Sequence, residues 1–338
     1  MKRSLRAFFF FGSIFLAGIL RCEAQENDFT QYYLNLSGIN AGFTGIEDYL
    51  DLKLGIREGW NNFGVKDNNL YVSLNGALNR SNRSAQRSNS LRLSDPGVLE
   101  RVKMEKGFRR KQGLGGIITN RKVGPYQSLQ INANYAYHLP ITKSLNLSLG
   151  TKVGYANQRI DFGGLTVRDD VNDLFYKELT QSQQGRQSSF LVDFGSVVYS
   201  KYFFVGLSAQ NLATPKLSGD QLLAGTHKAR YMLQAGSIFT LSPNLSLAPG
   251  FNTVFVKDYD LQWAANARVL YKQIGFFGLA YQSNSKVSIL LGFTKSNFEV
   301  NYCYDQYLSD LRSFNISVHE LVIGISLFNK YDMRPKFW

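Results

Sequence analysis

Apolar and polar residues alternate with a period of two along most of the chain. In the run 129–138 the odd positions are all apolar, while Gln, Asn and His occupy most of the even positions. The runs 145–155 and 261–272 show the same alternation. A period of two over about ten residues is typical of a β-strand with one apolar face and one wet face. Eleven further runs bring the total to about 14, and they lie near 49–58, 70–78, 113–120, 188–199, 201–211, 229–240, 244–256, 273–283, 286–295, 296–304 and 314–328.

Two all-β architectures produce such alternation. In a soluble sandwich the apolar face turns toward a core, whereas in a membrane barrel it faces lipid and the other face lines a lumen. Runs of about ten residues match a tilted membrane crossing, since strands of soluble proteins are most often five or six residues long. The second face also carries charges of both signs, at Lys53, Arg57, Lys152, Arg268, Glu299 and Asp305. These features favour a transmembrane antiparallel β-barrel of about 14 strands, of the outer-membrane type.

The connections between the runs differ in length on the two sides of the predicted barrel. Counted from the N-terminus, alternate connections are short, such as 139–143, Ser200-Lys201 and Lys295-Ser296, and the opposite set includes long loops at 158–187 and 213–227. Bacterial outer-membrane barrels combine short periplasmic turns with longer outer loops, and an even number of strands returns both termini to the periplasm. The connection 80–112 is an exception, because it links the second and third runs and so lies on the short-turn, periplasmic side. The other loop lengths favour the same fold.

The first residues have the composition of a secretory signal peptide. Lys2, Arg3 and Arg6 precede a 14-residue apolar run, and Cys22-Glu23-Ala24 offers a cleavage site with a small residue on each side. We therefore predict a signal peptide at 1–24. Cys303 is then the one thiol of the mature chain, so the exported protein has no disulfide framework and depends on packing or on backbone pairing.

The net charge of +13 is concentrated in one connection. Loss of the signal peptide removes four basic residues and one acidic residue and leaves +10, and the connection 80–112, with ten basic and three acidic residues, contributes +7 of that charge. A solvated loop and a docking patch for an acidic periplasmic surface both fit this composition. A nucleic-acid partner does not fit, because the signal peptide directs the chain away from nucleic acid. The candidate docking residues are Arg80, Arg83, Arg87, Arg101, Arg109, Arg110 and Lys111.

Catalytic and metal-binding chemistry have weak support in the sequence. The three histidines, His138, His227 and His319, form no recognisable pattern with a nucleophile and an acid. Together with one mature cysteine they give no spacing of the type that zinc sites use. The glycines around 113–116 are not followed by a phosphate-binding motif, and they fit strand bends and close approaches. We predict a protein that is not an enzyme and that has no catalytic residues, no cofactor and no metal site.

Several segments resemble one known family. The opening Phe29-Thr30-Gln31-Tyr32-Tyr33-Leu34-Asn35, the later Ile39-Asn40-Ala41-Gly42-Phe43-Thr44-Gly45, and Arg57-Glu58-Gly59-Trp60 are similar to the start of the PorP/SprF family of type IX secretion membrane proteins of Bacteroidetes. The likeness continues through Gly113–Gly116, Val205–Leu212 and Val318-His319-Glu320, although two prolines of the family's opening are missing here. The residues that carry the N-terminal motif are Phe29, Thr30, Gln31, Tyr32, Asn35, Asn40, Gly42 and Gly45.

The resemblance implies a barrel of about 14 strands in the bacterial outer membrane, associated with type IX secretion and gliding motility. It also implies partners, namely outer-membrane lipid, a secreted adhesin-like cargo protein at the cell surface, and periplasmic components of the secretion machine. We interpret the chain as a binding and anchoring barrel, with an N-terminal periplasmic or plug segment at 25–46 that packs under or into a barrel at 47–338. A general porin or solute channel is the alternative. Either Phe328 or Trp338 could carry the signal for membrane insertion.

Overall fold

The computed structural model describes residues 29–47, 49–60, 67–78, 110–142, 144–161, 185–219, 228–272, 274–308 and 317–329. Three helical turns precede the sheet, a 3-10 turn at Tyr32–Asn35, an α-helical turn at Leu36–Ile39 and a second 3-10 turn at Ala41–Phe43. The predicted signal peptide, most of the basic connection and Trp338 lie outside the described residues.

Sixteen strand segments follow the helical turns in the described part of the chain. They are β1 (Leu50–Trp60), β2 (Asp67–Ala77), β3 (Lys111–Val123), β4 (Tyr126–Pro140), β5 (Asn146–Ile160), β6 (Arg186–Tyr199), β7 (Phe203–Ala213), β8 (Lys216–Gly219), β9 (Arg230–Ser237), β10 (Phe239–Ser242), β11 (Leu245–Val256), β12 (Gln262–Tyr271), β13 (Gly275–Gln282), β14 (Lys286–Lys295), β15 (Phe298–Tyr307) and β16 (Ser317–Leu327).

The segments form one closed antiparallel barrel. Segment β8 continues β7 along β6, and β10 continues β9 along β11, so the sixteen described segments make fourteen barrel strands. The first and last strands close the cylinder, with Leu50 opposite Leu327 at one end and Trp60 opposite Ser317 at the other. Closure leaves no sheet edge, so every strand has a hydrogen-bonding neighbour on both sides. The predicted antiparallel barrel of about 14 strands is confirmed.

Alternation along each strand divides the residues between the two faces of the barrel. On β2, Tyr71 and Ser73 are buried, whereas Leu70, Val72 and Leu74 are exposed on the outer surface. The charged residues predicted to lie on the wet face are all buried inside: Lys53, Arg57, Lys152, Arg268, Glu299 and Asp305. The barrel therefore has an apolar exterior and a polar interior, which is the arrangement of a membrane barrel. None of the described helices is long or apolar enough to span a membrane.

The two ends of the barrel differ in their connections. Turns of two to five residues join β4 to β5, β6 to β7, β10 to β11, β12 to β13 and β14 to β15, at the end where β1 begins and β16 finishes. The basic connection between β2 and β3 is the exception, since it is at this end and is longer than any connection at the other end. The longest connection at the other end joins β5 to β6. In bacterial outer-membrane barrels the short turns and both termini lie at the periplasmic end. We name the two ends periplasmic and outer accordingly.

The outward apolar face makes a prediction about lipid contact. We expect Leu291→Arg, near the middle of β14, to lower the free energy of unfolding in lipid vesicles by about 2–4 kcal/mol, because a cation at the bilayer midplane is poorly solvated. Leu308→Arg is the matched control, since Leu308 is also exposed but lies just beyond the outer end of β15, where we expect a loss of about 0–1 kcal/mol. Equal losses in urea titrations of the two variants would contradict the assigned membrane position.

Candidate functional site

Residues 29–47, which we call the luminal segment, lie inside the barrel. Its helical turns have three or four residues each, too few for most of their carbonyl groups to find partners within a helix. The apolar side chains of the segment join one core with inward-facing residues of the barrel such as Val197, Phe204 and Phe276. The members that the segment contributes are Tyr32, Tyr33, Leu34, Leu36, Phe43 and Ile46.

Polar side chains of five strands satisfy the carbonyl groups of the luminal segment. A buried carbonyl without a hydrogen bond destabilises the folded state by about 1–3 kcal/mol, so these contacts fix the path of the segment. His138 Nε2 must be the donor to Thr44 O, since a carbonyl oxygen only accepts, and its Nδ1 lies 3.1 Å from the Tyr199 hydroxyl. The donor and acceptor pairs are Lys53 with Leu34 O, Asn134 with Ser37 O (2.9 Å), Lys152 with Gly38 O (3.1 Å), Gln210 with Ile39 O (2.6 Å), His138 with Thr44 O (2.9 Å) and Lys111 with Ile46 O.

Thr30 is bound by charged residues of three strands near the outer end. Its backbone N–H donates to Glu320 Oε1 at 2.7 Å, and its hydroxyl donates to Asp305 Oδ2 at 2.7 Å. The same hydroxyl accepts from Lys286 Nζ at 2.8 Å, and Lys286 also lies 2.8 Å from Asp305. The hydroxyl thus completes a chain of charge-assisted hydrogen bonds, which are stronger than neutral ones. Glu320 accepts a second backbone N–H, from Gln31 at 3.1 Å.

Asn40 fixes the other half of the segment to the opposite wall. Its side-chain Nδ2 lies 3.3 Å from Ser196 O, 3.1 Å from Leu207 O and 3.0 Å from Gln234 Oε1. Its Oδ1 accepts from the backbone N–H of Gly42 at 2.9 Å, which begins the second 3-10 turn. One amide therefore connects three strands and also caps a turn, a combination that needs both a donor and an acceptor on a short side chain.

Arg268 and Tyr33 form a stacked pair in the middle of the lumen. The guanidinium carbon lies 3.7 Å from the centre of the Tyr33 ring, and Arg268 Nε donates to Asn266 Oδ1 at 3.1 Å. Burial raises the pKa of the Tyr33 hydroxyl well above its ordinary value, although Arg268 opposes the shift, so the ring stays neutral at physiological pH. The attraction between them is therefore of the cation–π type, which strengthens when both groups are shielded from water.

Glycines in the barrel wall mark the places where the luminal segment touches the sheet. A Cβ at Gly150 would lie 2.4 Å from the carbonyl carbon of Ala41, and a Cβ at Gly195 would lie 2.0 Å from Asn40 Oδ1. A Cβ at Gly113 would lie 2.0 Å from Thr44 O. Such distances are far below van der Waals contact, so these wall positions need a residue without a side chain.

The residues of the predicted N-terminal motif come together in this one place. Phe29, Thr30, Gln31, Tyr32, Asn35, Asn40, Gly42 and Gly45 all belong to the luminal segment. The predicted docking residues do not share one environment. Arg110 is exposed at the periplasmic end, whereas Lys111 is buried and bonded to Ile46 O, so Lys111 belongs to the luminal contacts and not to an exposed docking surface. The remaining five, Arg80, Arg83, Arg87, Arg101 and Arg109, lie outside the described residues.

Sequence reasoning missed most partners of the luminal segment. Asn134, Gln210, Gln234 and Lys286 occupy the inward register of alternating strands, but the alternation says only that such a residue faces the lumen. The signal that could have pointed to these residues is the length of their polar side chains. A water-filled lumen requires only a polar residue at such positions, because water itself supplies the hydrogen bonds. The sequence gives no means of pairing a donor on one strand with a carbonyl more than ninety residues away.

The histidines and the cysteine have structural partners where they are described. Cys303 is buried, and its thiol donates to Asp305 Oδ1 at 3.1 Å. His319 is on the last strand, and its Nδ1 lies 2.7 Å from the Tyr302 hydroxyl. His227 lies outside the described residues. Within the described ranges, no group of three or more His, Cys, Asp or Glu side chains could hold a metal ion.

Comparison with protein families gives a match that covers most of the chain. The model that describes the type IX secretion system membrane protein PorP/SprF matches residues 21–325. The chain belongs to the PorP/SprF family. It is therefore a type IX secretion membrane protein with an outer-membrane barrel fold, and its predicted location in the bacterial outer membrane is confirmed. The predicted family resemblance is confirmed as well. Among curated proteins, no sequence matches this PorP/SprF chain.

Solved structures similar to this PorP/SprF chain are outer-membrane barrels with low sequence identity. The outer membrane protein Omp33 of Acinetobacter baumannii has a TM-score of 0.47 and 8% identity, over 84% of this chain and 100% of that one. The toluene transporter TodX of Pseudomonas putida has a TM-score of 0.44 and 8% identity, over 90% and 98%. The translocator domain of the autotransporter NalP from Neisseria meningitidis has a TM-score of 0.40 and 10% identity, over 86% and 92%.

The wall glycines and the buried thiol give a test of the luminal segment. We expect Gly150→Val to displace the segment, because its side chain would overlap the backbone of Ala41. Cys303 belongs to the same buried core as the apolar side chains of the segment. We expect displacement to expose the thiol, so its reaction with a small hydrophilic thiol reagent should accelerate by about tenfold or more, the factor that a loss of about 1.4 kcal/mol produces. The measurement is mass spectrometry of the peptide that contains Cys303.

Gly116→Val is the matched control, since a Cβ at Gly116 would meet only Asn132 O at 3.4 Å, an ordinary contact. Its labelling rate should equal that of the unchanged protein. Equal rates for Gly150→Val and Gly116→Val, in barrels that both fold, would mean that the luminal segment does not shield the thiol.

Proposed function

We propose that this PorP/SprF protein is a non-enzymatic binding and anchoring component of the type IX secretion and gliding machinery. In this role it binds a specific secreted adhesin-like cargo protein, helps its export or surface attachment, and docks to periplasmic components of the machine. Family membership supports a role in the type IX secretion machinery. The geometry of the lumen favours a binding protein over an open solute channel.

The observation that carries the proposal is the number of strands that the luminal segment contacts. Among the described hydrogen bonds, thirteen of the fourteen barrel strands bond directly to residues 30–46, and only β11 does not. A segment that is bonded on all sides obstructs the lumen, which a general porin would need to keep open. The alternative of an open solute channel therefore has less support than the binder.

Deletion of the gene tests the function directly. We expect the deletion strain to lose surface display of at least one type IX cargo, and complementation with the unchanged gene to restore it. The readout is proteomic analysis of the cell surface and of the medium. Unchanged display of every cargo would refute the binding role.

Conductance separates the binder from the channel. The purified protein in planar bilayers should show no steady single-channel current, because the luminal segment stays bonded to the wall. Gly150→Val should show steady current, and Gly116→Val should remain closed, which makes the pair an internal control. A steady current from the unchanged protein would favour the solute channel.

Docking through the basic connection makes a prediction about salt. We expect the simultaneous change of Arg83, Arg87 and Arg101 to Ser to weaken capture of periplasmic machine components by about tenfold. Capture by the unchanged protein should fall as salt rises above about 0.15 M, because salt screens exposed charges. Lys111 stays unchanged, since it holds the luminal segment. The same change at Lys122, Arg159 and Arg186, three exposed basic residues at the outer end, is the matched control and should leave capture intact. Equal capture by both triple variants would remove the docking role.

A further inference from the structure

A cavity of about 190 Å³ lies on the outer side of the luminal segment. The segment forms its floor through residues that include Phe29, Gln31 and Tyr32. Residues of β2, β3, β4, β5, β7 and β9 form its walls, and Arg121, Tyr126 and Arg230 lie near the outer ends of their strands. The cavity therefore faces the cell exterior and is separated from the periplasm by the segment.

Four buried side chains of the cavity lining carry polar atoms without a hydrogen-bond partner. Gln31 is 1% exposed and has no partner for either Oε1 or Nε2. Asn69 Oδ1, Ser128 Oγ and Asn132 Oδ1 also have no hydrogen-bond partner, and these residues are 8%, 5% and 7% exposed. Buried polar groups are stabilised by a hydrogen-bond partner, and these four, among the described residues whose polar atoms have none, line one cavity, where a polar ligand would pair with them.

The set contains both donors and acceptors. The Gln31 amide and the Ser128 hydroxyl can donate, whereas Asn69 and Asn132 present carbonyl oxygens that can only accept. A small inorganic anion would satisfy donors alone. A peptide backbone offers N–H and C=O groups at alternating positions, so a short extended peptide satisfies both kinds of group after small rotations of the side chains.

The acidic and basic residues of the cavity lining, within the described ranges, are all basic. They are Arg121, Lys152 and Arg230. Lys152 is paired with Asp193 at 2.6 Å. Arg121 Nε lies 3.9 Å from Asp67 Oδ1, too far for a hydrogen bond, and Arg57 is bonded to the other oxygen, Oδ2, at 2.8 Å. One carboxylate thus faces two guanidinium groups, and a carboxylate guest would give Arg121 a charge-assisted hydrogen bond.

We infer that this outward-facing cavity binds the acidic, extended end of a secreted partner protein, with a carboxylate at Arg121 and peptide groups at Gln31, Asn69 and Asn132. The inference rests on the proposed binding function and specifies the chemistry of what is bound. A cavity of about 190 Å³ holds the last one or two residues of a chain and not a folded domain. The rings of Phe29, Tyr71 and Tyr126 in the lining provide apolar surface for the side chains of the peptide.

Peptide binding to the full chain in detergent micelles tests the inference. The probe is a fluorescent hexapeptide that ends in two aspartates, and the comparison peptide ends in two asparagines with an amidated terminus. We expect the acidic peptide to bind at least about tenfold more tightly, and Arg121→Gln to abolish that difference. Gln31→Met removes the orphaned amide with little change in shape and should weaken the acidic peptide by about fivefold.

Arg159→Gln is the matched control, since Arg159 is exposed at the outer end of β5 and does not line the cavity. It should bind the acidic peptide as the unchanged protein does. All variants should keep the slow labelling of Cys303, which shows that the luminal segment is still in place. Equal affinity for both peptides, or unchanged binding by Arg121→Gln, means that the cavity holds water only and overturns the inference. Preferential binding of trigalacturonic acid, an acidic sugar, overturns it as well.

Cells that carry the same variants separate this inference from the proposed function. If gene deletion abolishes surface display while Arg121→Gln restores it fully, the cavity inference fails and the binding function stands. If deletion leaves the display of every cargo unchanged, the binding function itself fails. Loss of display with Arg121→Gln and normal display with Arg159→Gln support both.

Discussion

The requirement that buried polar groups find partners governs the interior of this barrel. Closure of fourteen strands places rows of Lys, Arg, Asp, Glu and Asn side chains in a narrow lumen, where few of them reach bulk water. The luminal segment supplies carbonyl groups, backbone N–H groups and hydroxyls at the same depths in the lumen as the polar side chains of the wall. Without that segment, Lys111 and Asn134 would lose acceptors and Glu320 would lose two donors. The same contacts that close the lumen therefore also stabilise the wall.

The contacts also explain why an irregular segment can be rigid. Its three helical turns are too short to be stable alone, since an isolated helix of this length is marginal in water. Inside the barrel their carbonyl groups are satisfied by side chains from the sheet, and their rings pack in one core with it. The barrel wall and the luminal segment therefore supply hydrogen-bond partners to each other, and the segment is stable only within the assembled barrel.

Sequence reasoning recovered the barrel but not its interior contacts. The alternation at 129–138 and in the other runs identified the strands, because burial against lipid on one face imposes a period of two. The resemblance to PorP/SprF proteins singled out Thr30, Gln31 and Asn40 but gave no geometric reason for them. Partners such as Gln210 and Lys286 could not be predicted from the sequence, since their pairing depends on how the closed sheet brings distant strands together. Lys111 differs from its prediction in another way. It was predicted as a docking residue because it belongs to the basic connection, whereas its side chain is buried and bonded to Ile46 O.

The bond between Thr30 and Glu320 joins residues 290 positions apart, near the two ends of the chain. Synthesis and export deliver Thr30 first and Glu320 almost last, so the backbone N–H groups of Thr30 and Gln31 have no carboxylate acceptor until the final strand is in place. A chain that stops before β16 lacks Glu320 and leaves these two N–H groups without it, whatever the quality of its first fifteen strand segments. The two hydrogen bonds thus form only in a barrel that has closed on its last strand.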